Sequence, residues 1–388
     1  MWSWSANYLL LIFQLVTFTR MTVVRILFLL SVLTYAPASE AKTPIVIDTD
    51  MAIDDWPAML YLLHHPETEV LAITVTGAGE AHCDPGAQHA VDLVDITPSR
   101  GTPVACGPSE PMDGYFEFPK SWRHDADTFY GVPLTRSNRR PVAIGSPELL
   151  VTTLRKATQP VRLLILGNAT NVGLAMEQAP DIKSKIERIF FMGGSIWHPG
   201  NIIVQGFTDH FKNKVAEWNI MIDPVAARIV FRSGVPVTLV PLDGTQQQQV
   251  TRQDIRQFTK KAKTPGARFF AKVFEKIKWF VDSGEYYYWD VLTAAVAIHP
   301  EFCRMQKLNL DVIVGYSDKT NGTTPPPFSP QRWDGKPRRN FDPYYTGQTI
   351  LSDEGPSIDV CVESYPALFK PDLIRTLNGW LHTQPEAK

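Results

Sequence analysis

Four aspartates crowd together near the start of the chain, directly after a short apolar run. The run is Ile45-Val-Ile47, and the acids that follow it are Asp48, Asp50, Asp54 and Asp55. Like charges this close repel one another unless a cation neutralises them, and oxygen ligands without histidine or cysteine select a hard ion such as Ca²⁺ or Mg²⁺. Helix capping explains any one of these aspartates, because Asp is favoured at a helix N-terminus. It is a weak explanation for four together, so the cluster predicts a metal site.

The elements that must position this cluster are short β-branched runs that alternate with longer helical stretches. Strands are predicted at Ile45–Ile47, Val70–Val75, Arg162–Leu166, Ile189–Met192 and Val235–Val240. Helices are predicted at Trp56–His64, Gln88–Val94, Pro147–Ala157, Asn171–Gln178 and Pro224–Phe231. This alternation is typical of βαβ units, so we expect an α/β fold: a single domain with a mainly parallel central sheet flanked by helices. Near the C-terminus, Ser317–Thr349 is rich in Pro, Gly, Asn and Arg and is predicted to be a long surface loop or insertion.

Polar residues follow each predicted strand at its carboxyl end. They are Asp48 and Asp50 after the first strand, residues 77–80 after the second, 167–171 after the third, Gly193-Gly194 after the fourth and Asp243 after the fifth. In open α/β sheets, ligands bind beyond the carboxyl ends of the strands. One rim of the sheet is therefore predicted to gather all of these groups.

The charge balance favours a small-molecule substrate. Among the 388 residues, 38 Lys and Arg face 40 Asp and Glu, which gives a net charge of −2. A phosphate backbone requires a basic field that this composition does not build, so we expect no nucleic-acid partner.

The N-terminal residues resemble a secretory signal peptide. The apolar run Ile26–Ala36 precedes Ser39-Glu40-Ala41, which has the small-x-small pattern of a cleavage site. We therefore expect residues 1–41 to be a signal peptide, residues 42–388 to be the folded domain, and the protein to be secreted or periplasmic. A first apolar run, Tyr8–Val16, leaves an uncut membrane anchor as the alternative.

Export makes the four cysteines candidates for disulfides, with three possible pairings, and free buried thiols are the alternative. These cysteines are Cys83, Cys106, Cys303 and Cys361.

A strand followed by Asp-x-Asp has two enzymatic interpretations. Haloacid-dehalogenase-type phosphatases begin in this way, and Asp48 would then be the nucleophile. In those enzymes, however, no second Asp-Asp pair is expected one helical turn later, where this chain carries Asp54-Asp55. The phosphatase is therefore the second choice.

The segment from Asp48 to Asp55, DTDMAIDD, closely resembles the DxDPGxDD signature of the nucleoside N-ribohydrolases, the inosine/uridine-preferring nucleoside hydrolase family. Met51-Ala52 replaces the Pro-Gly step. Four further segments resemble that family in the right order: Leu166–Asn171 (LGNATN, like LGPLTN), Phe191–Gly194, Val215–Pro224 and Trp289-Asp290. The resemblance covers Pro44 to about Pro300, and it implies a single α/β domain with a mainly parallel sheet.

The resemblance also implies a Ca²⁺ site and a ribose site. The implied Ca²⁺ ligands are Asp50, Asp55, the backbone carbonyl of Leu166 and Asp290, with Asp48 behind them. The implied ribose-binding residues are Asp54, Asn201, Glu217 and Asn219, with Met192 against the sugar. Breaking an N-glycosidic bond passes through an oxocarbenium-like sugar, so nearby carboxylates would stabilise the developing positive charge. Asp50 is expected to act as the general base toward the attacking water.

Departure of the base needs other residues. Many family members carry His directly before the last metal-binding Asp, whereas this chain has Trp289 there. Trp at this position resembles the purine-preferring branch, in which indole rings stack on the base. Trp122 is the candidate for a second aromatic wall, with a structural role equally open, and Glu80 is the candidate for an acidic residue near the base. His82 is an alternative acid, although a lone loop histidine is more often structural.

Together these patterns predict an exported, Ca²⁺-dependent hydrolase that cleaves ribonucleosides, with purine nucleosides favoured, to ribose and free base. Its partner would be a small-molecule nucleoside, and a homo-oligomer, either a dimer or a tetramer, is left open. Because the usual His is absent and Ile202 to Lys214 looks like an insertion, a non-catalytic Ca²⁺-dependent nucleoside- or sugar-binding protein is the alternative.

Overall fold

Nine strands form one sheet in the residues that the computed structural model describes, which are 42–112, 118–315 and 342–379. In chain order they are β1 (Thr43–Thr49), β2 (Thr68–Val75), β3 (Val104–Cys106), β4 (Val161–Ile165), β5 (Ile186–Met192), β6 (Val237–Val240), β7 (Cys303–Val312), β8 (Thr349–Leu351) and β9 (Ser357–Ser364). Their order across the sheet is β3-β2-β1-β4-β5-β6-β9-β7-β8. Every pairing from β3 to β9 in this order is parallel, and β7 and β8 are added antiparallel at one edge.

The helices of the described residues cover the sheet and complete the α/β fold. They are α1 (Asp55–His64), α2 (Cys83–Asp95), α3 (Lys120–Asp127), α4 (Ser146–Lys156), α5 (Thr170–Gln178), α6 (Trp218–Ile222), α7 (Pro224–Phe231), α8 (Leu242–Thr245), α9 (Arg252–Lys261), α10 (Pro265–Lys276), α11 (Lys278–Ser283), α12 (Trp289–Val296) and α13 (Pro366–Leu377). Short 3₁₀ turns lie at Phe129–Gly131, Pro180–Lys185 and Pro300–Phe302.

The two faces of the sheet carry separate hydrophobic cores, and β1 shows how the sequence fills both. Ile45 and Ile47 belong to one core and Val46 to the other, and none of the three is exposed. Successive side chains of a strand point to opposite faces. A strand buried on both faces therefore needs a continuous apolar run, which is the pattern that identified β1.

The predicted mainly parallel sheet is confirmed, and each of the five predicted strands and five predicted helices has a counterpart with similar bounds. The prediction did not include β3, β7, β8 and β9. The first of these is three residues long, and β7 exposes much of its length, so neither presents a long apolar run.

Two predicted segments fall wholly or largely outside the described residues. The expected signal peptide, 1–41, lies outside them, as do residues 317–341 of the predicted loop. At the described end of that segment, Thr349 begins β8 and Asp342 and Thr346 are buried, whereas Tyr344 and Tyr345 are exposed. The Thr346 carbonyl accepts a hydrogen bond from Asn213 Nδ2 at 2.8 Å, which joins this stretch to the segment before α6. Among the described helices, none is both long and apolar enough to cross a bilayer.

Two disulfides use all four cysteines, so the alternative of free thiols is wrong. Cys83 at the start of α2 is bonded to Cys106 at the end of β3. Cys303 and Cys361 join β7 to its antiparallel neighbour β9. One bridge therefore lies near the carboxyl rim of the sheet and the other secures its antiparallel edge.

Candidate active site

The four aspartates lie at the carboxyl end of β1, and Asp48 is the one within the strand itself. Its Oδ1 accepts hydrogen bonds from Thr74 Oγ1 at 2.6 Å and from Asn171 Nδ2 at 2.8 Å. Asp48 is completely buried, and burial raises the pKa of its carboxyl to about 7. Its side chain is therefore hydrogen-bonded to β2 and α5 beneath the carboxyl rim.

Asp50 is enclosed by two loops that follow neighbouring strands. Its Oδ2 accepts a hydrogen bond from the Glu80 amide at 3.1 Å, and its Oδ1 accepts one from the Ala52 amide at 3.3 Å. A Cβ atom added at Gly79 would stand 2.0 Å from Cβ of Asp50, and one at Gly167 would stand 2.5 Å from it. Burial raises the pKa of Asp50, while these hydrogen bonds and the charge of Arg123 act in the opposite direction.

Asp54, Asp55 and Asp290 bring their carboxylates together although Asp290 comes from α12. One oxygen from each lies within 4.8 Å of the others. The carboxyl of Asp55 is also in hydrogen-bonding reach of those of Asp50 and Asp290. Asp54 precedes α1, yet its side chain makes no capping hydrogen bond. Helix capping therefore does not explain why Asp54 is an aspartate.

The chemistry of these donors fits a hard divalent cation. Asp55 Oδ2 and Asp290 Oδ1 are buried and have no hydrogen-bond partner among the described residues. Burial raises the pKa of both carboxyls well above the usual range, and neighbouring carboxylates add to that shift. Orphaned carboxylate oxygens that repel one another, without histidine or cysteine, match the ligand preference of Ca²⁺ or Mg²⁺. The Leu166 carbonyl is at the same rim and accepts a hydrogen bond from Asn219 Nδ2 at 2.9 Å.

The opposite side of the site is built around Glu217, which precedes α6. Its carboxylate accepts three backbone hydrogen bonds, from Asn219 at 2.9 Å, Ile220 at 3.2 Å and Gly194 at 2.9 Å. Burial raises the pKa of Glu217 to about 7, and the charge of Asp50 contributes to the shift. Glu217 therefore caps a helix and also faces the acidic cluster.

Three further expected ribose residues lie beside Glu217. Asn219 Nδ2 donates to the Met192 carbonyl at 3.1 Å and lies 3.3 Å from Met192 Sδ. Since this nitrogen is engaged within the protein, Oδ1 is the atom of Asn219 left to accept from a sugar hydroxyl. Asn201 Oδ1 accepts from the Trp218 amide at 3.1 Å, which ties Asn201 to the Glu217 segment despite the long loop between them.

The aromatic candidates lie on two sides. The Trp289 ring packs edge-on against Tyr286 at 5.6 Å, and its buried Nε1 has no hydrogen-bond partner among the described residues. The Trp122 ring lies 5.7 Å from Trp218 and 5.3 Å from Phe207. Trp122 therefore lies beside Trp218, the residue that follows Glu217, and it also packs against Phe207 in the preceding loop. Two aromatic residues that precede Trp122 in sequence, Tyr115 and Phe116, lie outside the described residues.

Glu80 and His82 have different surroundings although they are close in sequence. Glu80 is buried, and burial together with the charges of Asp50 and Asp54 raises its pKa well above the usual range. His82 is 57% exposed, and its Nδ1 lies 2.7 Å from Asp127 Oδ2. The His82 amide also donates to Asp127 at 2.8 Å. This double contact gives His82 a structural role in joining its loop to α3.

The sequence analysis did not identify three residues around Asp50, which are Gly79, Gly167 and Arg123. Gly79 and Gly167 belong to the polar segments that follow the second and third predicted strands. No local sequence pattern shows that a Cβ atom at either position would collide with Asp50. Arg123 was also missed. The residue is 5% exposed, and its guanidinium donates to the Gly77 carbonyl at 2.9 Å. The only local signal is an arginine beside the candidate Trp122.

The comparison with known sequences supports the resemblance. A sequence model of the family described as inosine-uridine preferring nucleoside hydrolase matches residues 45–365. The pyrimidine-specific ribonucleoside hydrolase RihA of Shewanella sp. (strain MR-7) is 33% identical over 216 residues, which are 55% of this chain and 63% of that protein. The protein of the same name from Salmonella schwarzengrund is 33% identical over 219 residues, 55% of this chain and 65% of that protein. The matched region thus spans less than two thirds of these relatives.

Solved structures agree over a longer stretch. The purine-preferring ribonucleoside hydrolase from Gardnerella vaginalis has a TM-score of 0.70 and 25% identity, covering 87% of this chain and 98% of that one. The inosine-uridine preferring nucleoside hydrolase from Bacillus anthracis has a TM-score of 0.68 and 22% identity, covering 87% and 99%, and supports the fold alone. Since the family match covers most of the chain and includes the acidic rim, this protein belongs to the inosine-uridine preferring nucleoside hydrolase family.

Proposed function

We propose that this protein hydrolyses the N-glycosidic bond of ribonucleosides to ribose and free base, with Ca²⁺ bound at the acidic rim. The observation that carries the proposal is the convergence of Asp50, Asp55 and Asp290, whose carboxyls are buried and in contact although Asp290 lies far along the chain from the other two. Family membership favours this activity over a haloacid-dehalogenase-type phosphatase.

The proposed roles follow from the chemistry of the groups. Asp50 takes a proton from the attacking water, and its fixed orientation comes from the amides of Ala52 and Glu80. Positive charge that develops at C1′ in the oxocarbenium-like transition state is stabilised by the surrounding carboxylates, including Asp54. Glu217, Asn219 and Asn201 accept hydrogen bonds from the ribose hydroxyls, and Met192 packs against the sugar.

Ca²⁺ is the proposed ion because all of the candidate ligands are oxygens, which are Asp50, Asp55, Asp290 and the Leu166 carbonyl. When bound there, Ca²⁺ would orient the sugar hydroxyls and acidify a water molecule. Mg²⁺ uses the same donor atoms but prefers a tighter octahedral shell and retains more water. Calorimetric titration with each ion tests the choice.

Purine nucleosides are the proposed substrates. Trp289 supplies an indole directly before Asp290, and Trp122 supplies a second one beside Trp218. Flat aromatic rings stack well on a two-ring base. A pyrimidine preference is the second candidate, because the Shewanella and Salmonella relatives are named pyrimidine-specific.

We also propose that the protein is exported by residues 1–41. The apolar run Ile26–Ala36 and the small-x-small pattern ending at Ala41 support this. The two disulfides give independent support, because such bonds persist in oxidising compartments and are rare in the cytosol. N-terminal sequencing of the protein recovered outside the cytoplasm tests the cleavage site.

The deciding experiment measures ribose release by the protein that lacks residues 1–41, with inosine, guanosine, adenosine, uridine and cytidine as substrates. Each reaction is run with added Ca²⁺ and with a Ca²⁺ chelator. Chelator-sensitive release from the purine nucleosides is expected, with less from uridine and cytidine. Faster release from the pyrimidine nucleosides would reverse the base preference and leave the reaction class in place.

Failure to release ribose from any of these nucleosides would contradict the proposed activity. If calorimetry then showed Ca²⁺-dependent nucleoside binding, the non-catalytic binding protein would be the correct interpretation. Release of phosphate from simple esters with Mg²⁺ would instead support the phosphatase.

A further inference from the structure

The loop that holds Asp50 is supported from outside by one buried arginine. The loop runs from Gly77 to Ala81, and only Thr76 separates it from the end of β2. Arg123 on α3 is 5% exposed, and its Nη2 donates to the Gly77 carbonyl at 2.9 Å and lies 3.5 Å from the Ala81 carbonyl. One guanidinium therefore reaches both ends of this five-residue loop.

The inner side of the same loop contacts Asp50 in three ways. The Glu80 amide donates to Asp50 Oδ2 at 3.1 Å, and the Ala81 amide donates to the Asp50 carbonyl at 3.0 Å. Gly79 approaches so closely that its missing Cβ would stand 2.0 Å from Cβ of Asp50. Any displacement of the loop therefore changes the position of the Asp50 carboxylate.

The surrounding charges strengthen the argument for an arginine at this place. The buried Glu80 interacts electrostatically with Asp50, Asp54 and Asp125, which carry the same sign of charge, and with Arg123, which carries the opposite sign. A neutral side chain at residue 123 would remove both the loop contacts and a positive charge that faces this acidic group.

We propose that Arg123 is a positioning residue, which fixes the Gly77–Ala81 loop and through it orients the carboxylate of Asp50 for catalysis. This inference rests on the proposed hydrolase activity and adds to it a residue that contacts the backbone of the loop around Asp50. Arg123 acts through backbone carbonyls, so its effect depends on the number and direction of its N–H donors. Arginine presents a rigid fork of donors, whereas lysine presents a single compact ammonium.

The test compares Arg123→Met and Arg123→Lys with the matched control Arg139→Met. Arg139 also donates to a backbone carbonyl, that of Thr102 at 2.8 Å, but Thr102 precedes β3 at the opposite end of the strands from Asp50. Two quantities are measured: kcat and KM for ribose release, and hydrogen–deuterium exchange of the Glu80 and Ala81 amides. The Thr76 amide, which donates to the Thr49 carbonyl at 2.9 Å, is the internal reference.

For Arg123→Met we expect kcat to fall by about 10- to 100-fold, because small displacements of a catalytic group are costly, with KM little changed. The Glu80 and Ala81 amides should exchange about tenfold faster than in the wild type, because each loses a well-held hydrogen bond. Arg123→Lys should lie between the wild type and Arg123→Met in both measurements. Arg139→Met should leave both unchanged.

Three results would overturn the inference: a wild-type kcat in Arg123→Met, unchanged exchange of the two amides in either Arg123 variant, or equal losses in Arg139→Met. If Arg123→Met does not fold, Arg123→Lys decides by the same two measurements. A wild-type protein that releases no ribose would count against the proposed function alone. In that case the amide exchange still decides whether Arg123 orders the loop around Asp50.

Discussion

Gly167 lies directly against the side chain of Asp50: a Cβ atom at residue 167 would stand 2.5 Å from Cβ of Asp50 and 3.0 Å from its backbone nitrogen. These neighbours are close to the main chain and cannot swing away as the end of a long side chain could. Glycine is therefore required where the loop after β4 passes the end of β1.

Gly167→Ala should displace Asp50 and reduce kcat by roughly 100-fold, the size of effect expected for a misplacement of about 1 Å. The measurement is steady-state ribose release, with thermal unfolding to check that the variant is folded. Gly145→Ala is the control, because a Cβ there meets nothing closer than 3.8 Å. Equal rates for the two variants would mean that crowding at Asp50 is unimportant.

Asp50→Asn should lower kcat by about 10²- to 10⁴-fold, since an amide cannot take a proton from water. Asp48→Asn should have a smaller effect, because the Asp48 carboxyl is completely buried and bonded to Thr74 and Asn171 rather than directed at the substrate. Both variants are assayed for ribose release and for Ca²⁺ binding. A larger loss at Asp48 than at Asp50 would contradict the assigned roles and point back to a phosphatase-type nucleophile.

Stability without metal should decrease as the pH rises. Burial raises the pKa of Asp48 to about 7 and that of Glu217 to about 7 in the folded protein, from ordinary values of 3.8 and 4.5. Between those limits the folded state binds more protons than the unfolded state, so the stabilisation present below about pH 4 is lost as the pH rises through about 7.

Thermal melting in a chelator, measured from about pH 5 to about pH 8, tests this linkage. Added Ca²⁺ should raise the melting temperature most at the alkaline end, because a cation binds the ionised carboxylates. Two results would contradict the prediction for the buried acidic site: a melting temperature that rises with pH in the chelator, or one that added Ca²⁺ does not change at any pH.

His82→Ala should leave the rate and its pH profile close to those of the wild type. The His82 ring is largely exposed and lies against Asp127, an arrangement that contributes about 0–1 kcal/mol to the free energy of unfolding. The pH dependence of kcat is the relevant measurement. Disappearance of the alkaline limb in the variant would instead identify His82 as the proton donor to the leaving base, because a donor must be protonated to act.

Removing the Cys303–Cys361 bridge should destabilise the domain more than removing the Cys83–Cys106 bridge. The bonded residues are separated by 58 positions in the first case and by 23 in the second. Loop entropy then gives about 4 and about 3 kcal/mol, respectively. Denaturant unfolding of the two double Cys→Ser variants measures both values, and the reverse order would indicate that local strain or residual structure dominates.

The sequence by itself determined the elements that have strong local patterns. The apolar run of β1, with the aspartates at its end, and the alternation of β-branched and helical segments predicted the parallel sheet and its active rim. These signals are local. Burial on both faces of a strand and the 3.6-residue period of a helix both appear as hydrophobic patterns among residues that are close in sequence. The antiparallel edge formed by β7, β8 and β9 was missed because short or partly exposed strands carry no such pattern.

Beyond the ligand set that the family resemblance implied, only the tertiary structure decided which side chains meet at the site. The packing of α12 beside α1 brings Asp290 to Asp55, as that resemblance implied, and the position of α3 turns His82 toward Asp127. Arg123 contacts backbone carbonyls, which every residue possesses, so no sequence pattern can identify its partners. Such contacts depend on packing between segments far apart in the chain, and the physical properties of the individual residues do not specify them.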